Sequence, residues 1–162
     1  MKNSLHSNTT YVVHLLLKSL AVKHSLTGLR SMLQEHPHYP SLLAIKDSLS
    51  EWKLTAQAFS LEKDCILDID RPFIAHLEGD EKKFVFVSNI DSMGVTYSDQ
   101  QRKNRFLPIS DFVEFWTGTA IFAESDVESG EPLYQSNRLF DYVKPLAIPT
   151  LVFFLSLVAY YP

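Results

Sequence analysis

Between Pro145 and Pro162 the chain reads PLAIPTLVFFLSLVAYYP, without one charged side chain. A helix of that composition is favoured in hydrocarbon and is an aggregation hazard in water. It divides the chain into a head of mixed, soluble composition up to Lys144 and a segment that belongs in a membrane. As a helix, that segment spans about 26 Å, short of the roughly 30 Å hydrocarbon core. Pro145 and Pro149 put the helix start in the first turn and shorten the regular helix further. Tyr160 and Tyr161 suit the aromatic belt at a membrane surface. The expectation is an incomplete first span, the front end of a longer membrane protein. The competing reading of so short an apolar run is a helix buried in a core.

The expected organisation is a domain over residues 1–124, a polar linker over 125–144 and the membrane segment over 145–162. A head of this size buries a core without disulfides or metal. Cys65 is the one cysteine, which rules out a disulfide framework within the chain and fits a reducing compartment. The net charge of -4 argues against a general nucleic-acid binder. The apolar stretch Tyr11–Leu17 is broken by His14 and followed by Lys18, so it does not read as a secretory signal. Arg138 and Lys144 lie just before the apolar segment, which favours a cytoplasmic head.

The first third of the chain is helical in pattern. Asn8, Thr9 and Thr10 are candidate caps for a helix to Val22, with Val12, Val13, Leu16, Leu17 and Leu20 as its apolar face. Ser25 caps a second helix that stops before Pro37 and Pro40, and Ser41 caps a third through Trp52. The period then changes to that of strands, at Leu54–Ala58, Phe73–Leu77 and Lys83–Ile90, with Glu78–Glu81 as the turn between the last two. Asp91–Gly94 turns into Val95–Tyr97, and a short strand surrounds Phe106. Ser110 is the expected cap of a helix through Trp116, and Thr119–Ala123 is a final strand. Helices segregated from a run of antiparallel strands make an α+β domain.

Several groups invite a chemical role. His36 and His38 flank Pro37, but structural metal sites want four ligands, and a solvated loop is the simpler reading, so no metal or cofactor is expected. Cys65 lies in a short amphipathic turn and reads as a buried structural thiol; pairing with His76 as a dyad is the bolder alternative. Arg102–Arg105 is a basic run without the aromatic or helical support nucleic acid needs, which leaves a solvated turn or contact with anionic headgroups. No glycine-rich phosphate loop or serine elbow is present.

The order of segments resembles the papain-like domain of bacteriocin-processing cysteine peptidases, which cut leader peptides after a double glycine. The resemblance rests on Arg71-Pro72-Phe73-Ile74-Ala75-His76-Leu77 and Lys83-Phe84-Val85-Phe86-Val87, then Val95-Thr96-Tyr97-Ser98-Asp99, then Ile109-Ser110-Asp111-Phe112 with Trp116-Thr117-Gly118. It covers roughly Asn8 to Glu124. Pro40-Ser41-Leu42-Leu43-Ala44-Ile45 with Glu51-Trp52-Lys53-Leu54 looks like peptidase-like heads of Bacteroidetes membrane proteins. Some of those continue into a vitamin K epoxide reductase-like domain.

The resemblance implies a papain-like fold, N-terminal helices on an antiparallel sheet, in a bacterial inner-membrane protein. It also implies that the catalytic cysteine position falls near Asn8, that the catalytic histidine position is Lys83, and that the orienting aspartate corresponds to Asp99. An amide and an ammonium cannot do the work of a thiol–imidazole pair. The expected function is therefore peptide binding without cleavage, with Phe84, Phe86 and Ser88 lining a groove in which a leader-like peptide or a partner region of the same membrane system pairs along the strand. The alternatives are a leader peptidase using Cys65, and the N-terminal part of a membrane thiol–disulfide oxidoreductase.

Overall fold

Two serines and three runs of aliphatic side chains organise the helical layer. The computed structural model describes residues 2–78 and 83–139, with side chains from residue 8 onward. Helix α1 spans Lys2–Ser19, α2 Leu26–Glu35 and α3 Leu42–Glu51. Ser25 caps α2 by accepting from the Gly28 N–H, and Ser41 caps α3 by accepting from the Ala44 N–H, as their sequence positions predict. Asn8, Thr9 and Thr10 differ from expectation: α1 begins before them, so they lie inside it and are buried. Their side chains serve tertiary contacts instead of a cap; the Thr10 hydroxyl, for one, meets the Tyr39 hydroxyl at 3.0 Å.

The remaining elements form one antiparallel sheet. Its strands are β1 (Thr55–Ser60), β2 (Phe73–Leu77), β3 (Lys83–Ile90), β4 (Gly94–Ser98), β5 (Arg105–Pro108) and β6 (Trp116–Glu124), ordered β1-β6-β2-β3-β4-β5. A short 3-10 helix, Lys63–Asp68, follows β1, and α4 spans Ile109–Phe115. Ser110 sits within α4, whose N-cap is Pro108 with no side-chain cap bond, and Trp116 opens β6 rather than closing the helix. Proline's fixed φ suits a helix entry without a hydroxyl.

Period-two alternation gives the sheet two apolar faces. Ile74, Phe84, Phe86, Ile121 and Ala123 pack under Val12, Val13, Leu16, Leu17, Leu29 and Ile45 of the three N-terminal helices. Phe73, Ala75, Val85, Val87 and Tyr97 face the other way, onto Ile66 of the 3-10 helix, Phe112 of α4, and Trp116. Each Val, Leu, Ile or Phe among them contributes about 1.5–3 kcal/mol when fully buried. Gly118 ties this second face together. Its φ is +79, its carbonyl accepts from the Leu61 N–H at 2.8 Å, and a Cβ there would stand 2.5 Å from the Leu61 carbonyl oxygen.

The stretch read as a linker is attached to the domain over its described part. Gly130 donates its N–H to Trp52, Glu131 donates to Lys23, and the Ser129 hydroxyl donates to the Lys53 carbonyl. Glu131 is buried and accepts from both the N–H and the hydroxyl of Ser25, at 2.6 and 3.0 Å. A carboxylate at a helix N-terminus is favoured by the exposed N–H groups there. The segment 145–162 and all but Glu78 of the expected turn Glu78–Glu81 lie outside the described residues, and among those described no helix is long and apolar enough to cross a membrane.

Two predictions follow from this packing. Gly118→Ala combines a left-handed backbone with a carbonyl clash, and is expected to cost about 1–3 kcal/mol in urea unfolding. His14 and His24 share a 2.7 Å hydrogen bond between helix and loop. Burial first, then His24 and Lys18, holds His14 below its ordinary 6.5. The unfolded chain therefore takes up this proton at a higher pH than the folded one, and the contribution is complete above 6.5 and lost as pH falls below it. The unfolding midpoint should drop with acidification through that range, and His14→Gln should shrink the drop; equal pH profiles would refute the assignment.

Candidate functional site

Three elements meet where α1 crosses the start of β3 and the end of β4. The Asn8 side chain of α1 donates to the Phe84 carbonyl at 2.8 Å and accepts from the Gln100 N–H at 3.0 Å. One amide thus bridges the helical layer to two segments of the sheet, and both its polar groups are occupied. Asp99 follows β4 in a tight turn. Its Oδ1 accepts from the N–H groups of Gln101 and Arg102 at 2.9 and 2.8 Å, and its own N–H donates to the Arg102 carbonyl. Lys83 opens β3 and donates to Asp99 Oδ2 at 2.7 Å. The carboxylate is 2 % exposed and the lysine side chain 26 %. A buried carboxylate is tolerable because an ammonium and two backbone donors surround it.

The structure therefore gathers Asn8, Lys83 and Asp99 around the Phe84 and Gln100 backbone. Beside Lys83 opens a cleft of about 780 Å³, lined by Leu77, Tyr97, Leu107 and Phe115 together with Arg102 and Arg105. Glu78, Asp111 and Glu114 line it as well, so its lining carries both signs. The Arg105 guanidinium lies over the Tyr97 ring, 6.0 Å from its centre.

The residues expected to line a peptide groove are placed differently. Phe84 and Phe86 are buried against the N-terminal helices, and half-buried Ser88 donates to the Thr96 carbonyl at 3.1 Å. β3 pairs with β2 from Lys83 to Val87 and with β4 from Phe86 to Ile90. A strand with neighbours on both sides has no continuous edge for a peptide to join. The alternation that made these residues stand out marks the core.

Cys65 is exposed, not buried, because the 3-10 helix turns Ile66 inward in its place. His76 packs on Phe84 on the helical face of the sheet and meets the Thr117 hydroxyl at 3.3 Å, whereas the 3-10 helix covers the opposite face. The two are not brought together. His36 Nε2 lies 3.6 Å from Asp47 and its Nδ1 accepts from the His38 N–H. Among the described residues no three or more His, Cys, Asp or Glu gather in a metal-binding arrangement. Arg102, Lys103 and Asn104 form an exposed turn, closed by the Asn104 N–H on the Ser98 hydroxyl. Sequence reasoning missed Gln100, which acts through its backbone, and Glu131, whose polar surroundings resemble a loop.

With this geometry in view, a sequence model described as the peptidase C39 family matches residues 2–128. No protein of curated function matches the chain. The fold is similar to the peptidase domain of Streptococcus ComA, a bi-functional ABC transporter involved in quorum sensing: TM-score 0.65 and 18% identity, covering 75% of this chain and 93% of that one. It is similar to a double glycine motif protease from an AMS/PCAT transporter, solved in complex with the leader peptide: TM-score 0.66, 14% identity, 75% and 86% covered. It is also similar to the N-terminal peptidase C39 like domain of a toxin secretion ATP-binding protein from Vibrio parahaemolyticus: TM-score 0.58, 16% identity, 78% and 99% covered.

Replacing Asn8 by Leu strands a buried carbonyl and the Gln100 N–H, and is expected to cost about 1–3 kcal/mol in urea unfolding. Asn8→Asp keeps the acceptor and loses the donor, so it should also destabilise; wild-type stability in both variants would show the bridge to be idle.

Proposed function

Because the chain belongs to the peptidase C39 family, we propose that it holds peptides on that family's scaffold without cutting them. The observation that carries this reading is the Lys83–Asp99 pair beside the engaged amide of Asn8. Cysteine-peptidase chemistry needs a thiolate and an imidazole that first removes and then returns a proton. An amide nitrogen is not a nucleophile, and an ammonium held at 2.7 Å by a carboxylate has no lone pair to act as a base. The substitution is self-consistent: lysine takes over the buried charge of Asp99, and the amide stitches together backbone groups. On this reading the two positions now serve stability.

The ligand class is a leader-like peptide. Its support is the fold shared with a double glycine motif protease that was solved in complex with the leader peptide. The peptide lies in the cleft beside Lys83, with apolar residues against Leu77, Tyr97 and Phe115. Residues 145–162 anchor the domain in a bacterial inner membrane, with the head toward the cytoplasm; the support is their uncharged composition and the preceding Arg138 and Lys144.

The test uses the full chain in mild detergent with a synthetic double-glycine leader. Calorimetry should detect binding, and mass spectrometry should find the peptide intact, with or without Cys65→Ala. Phe115→Ala, at a 45% exposed position, should weaken binding by about tenfold. Hydrolysis lost on Cys65→Ala would replace this reading with an active peptidase, and no binding at all would remove it.

A further inference from the structure

The sheet has two edges, and they are built differently. β5 has only four residues, among them Arg105 and Pro108. Shortness, charge and a missing N–H all discourage another strand from pairing there. β1 has none of these protections. Its sequence TAQAFS carries no charge and no proline, its six residues pair with β6 without a shift in register, and among the described residues no strand lies beyond it. An uncharged, regular edge of this length is a template for strand addition.

Beside that edge runs a groove of about 470 Å³, between the Thr55, Gln57 and Phe59 face of β1 and the residues that follow the 3-10 helix. Its floor is aromatic: Phe59, 43% exposed, packs on Phe122 with ring centres 5.8 Å apart. Leu61 and Ile69 continue the apolar lining. The rim is acidic. Asp68, Asp70 and Glu124 stand against Arg71, three negative charges against one positive, a net of -2. That cation is already engaged, on Glu124.

We propose that the β1 edge and this groove dock an extended basic segment of a partner protein. The segment adds to the sheet beyond β1, sets alternate apolar side chains on Phe59 and Phe122, and directs Lys or Arg to the acidic rim. Charge decides the occupant: two copies of this chain joined through β1 would bring two negative rims together, whereas a basic strand neutralises one. The surface is separated from the Lys83 cleft by β6 and β2 and does not depend on the leader-binding reading.

The experiment titrates the full chain, in a non-ionic detergent, against two labelled six-residue peptides, one alternating Lys with Val and one alternating Glu with Val, read by fluorescence anisotropy. The Lys–Val peptide should bind, lose affinity as salt is raised, and outcompete the Glu–Val peptide. Gln57→Lys/Phe59→Lys places cations on exposed positions of the edge and should weaken binding by about tenfold or more. Asp68→Lys/Asp70→Lys, at exposed rim positions outside the sheet, should do the same and guards against misfolding of the first variant. No binding, equal binding of both peptides, or unchanged affinity in both variants overturns the proposal. So does a concentration-dependent dimer in light scattering that Gln57→Lys/Phe59→Lys abolishes, because the edge would then belong to a second copy.

Discussion

One side-chain amide holds the two layers in register. Apolar packing of Val12, Val13, Leu16 and Leu17 presses α1 onto the sheet, but hydrophobic contact is non-directional and tolerates sliding. The Asn8 bridge to the Phe84 carbonyl and the Gln100 N–H is directional, and it joins the helix to both the entry of β3 and the exit of β4. Those two segments carry Lys83 and Asp99. The bridge therefore ends one residue from each member of the Lys83–Asp99 pair.

The same region shows what a buried charge requires of its surroundings. A buried carboxylate needs partners wherever it is placed, and Asp99 has an ammonium and two backbone N–H groups. Removing either member of such a pair leaves an uncompensated charge, which is far more costly than the net contribution of the intact pair. Once lysine faces Asp99, the pair is self-maintaining. The position of β3 adds a second constraint. It has strand neighbours on both sides, β2 and β4, while the edges of the sheet lie at β1 and β5.

Much of this was legible before folding was considered. The Ser25 and Ser41 caps, the switch from helical to alternating period after Trp52, and the order of strands through Phe73, Phe84 and Val95 all rest on local rules. Misreadings arose where a residue's partner is distant in sequence. Asn8 has the chemistry of a cap and serves as a bridge across 76 residues to Phe84. Glu131 sits in a polar stretch and reaches back 106 residues to Ser25. Cys65 is exposed because Ile66, one position on, takes the buried place. Phe84 and Phe86 looked like a ligand surface on a strand whose two faces both proved to be core-facing.

Sequence alone determined the α+β class, two of the helix starts and the strand pattern, because each depends on propensity, periodicity or order along the chain. Tertiary structure alone decided which face each strand buries, that the Asn8 amide and the Lys83–Asp99 pair share one corner, and that β1 rather than β3 presents a free edge. Sheet order and side-chain convergence are long-range properties, set by which surfaces meet once the apolar faces are buried, and no local pattern encodes them.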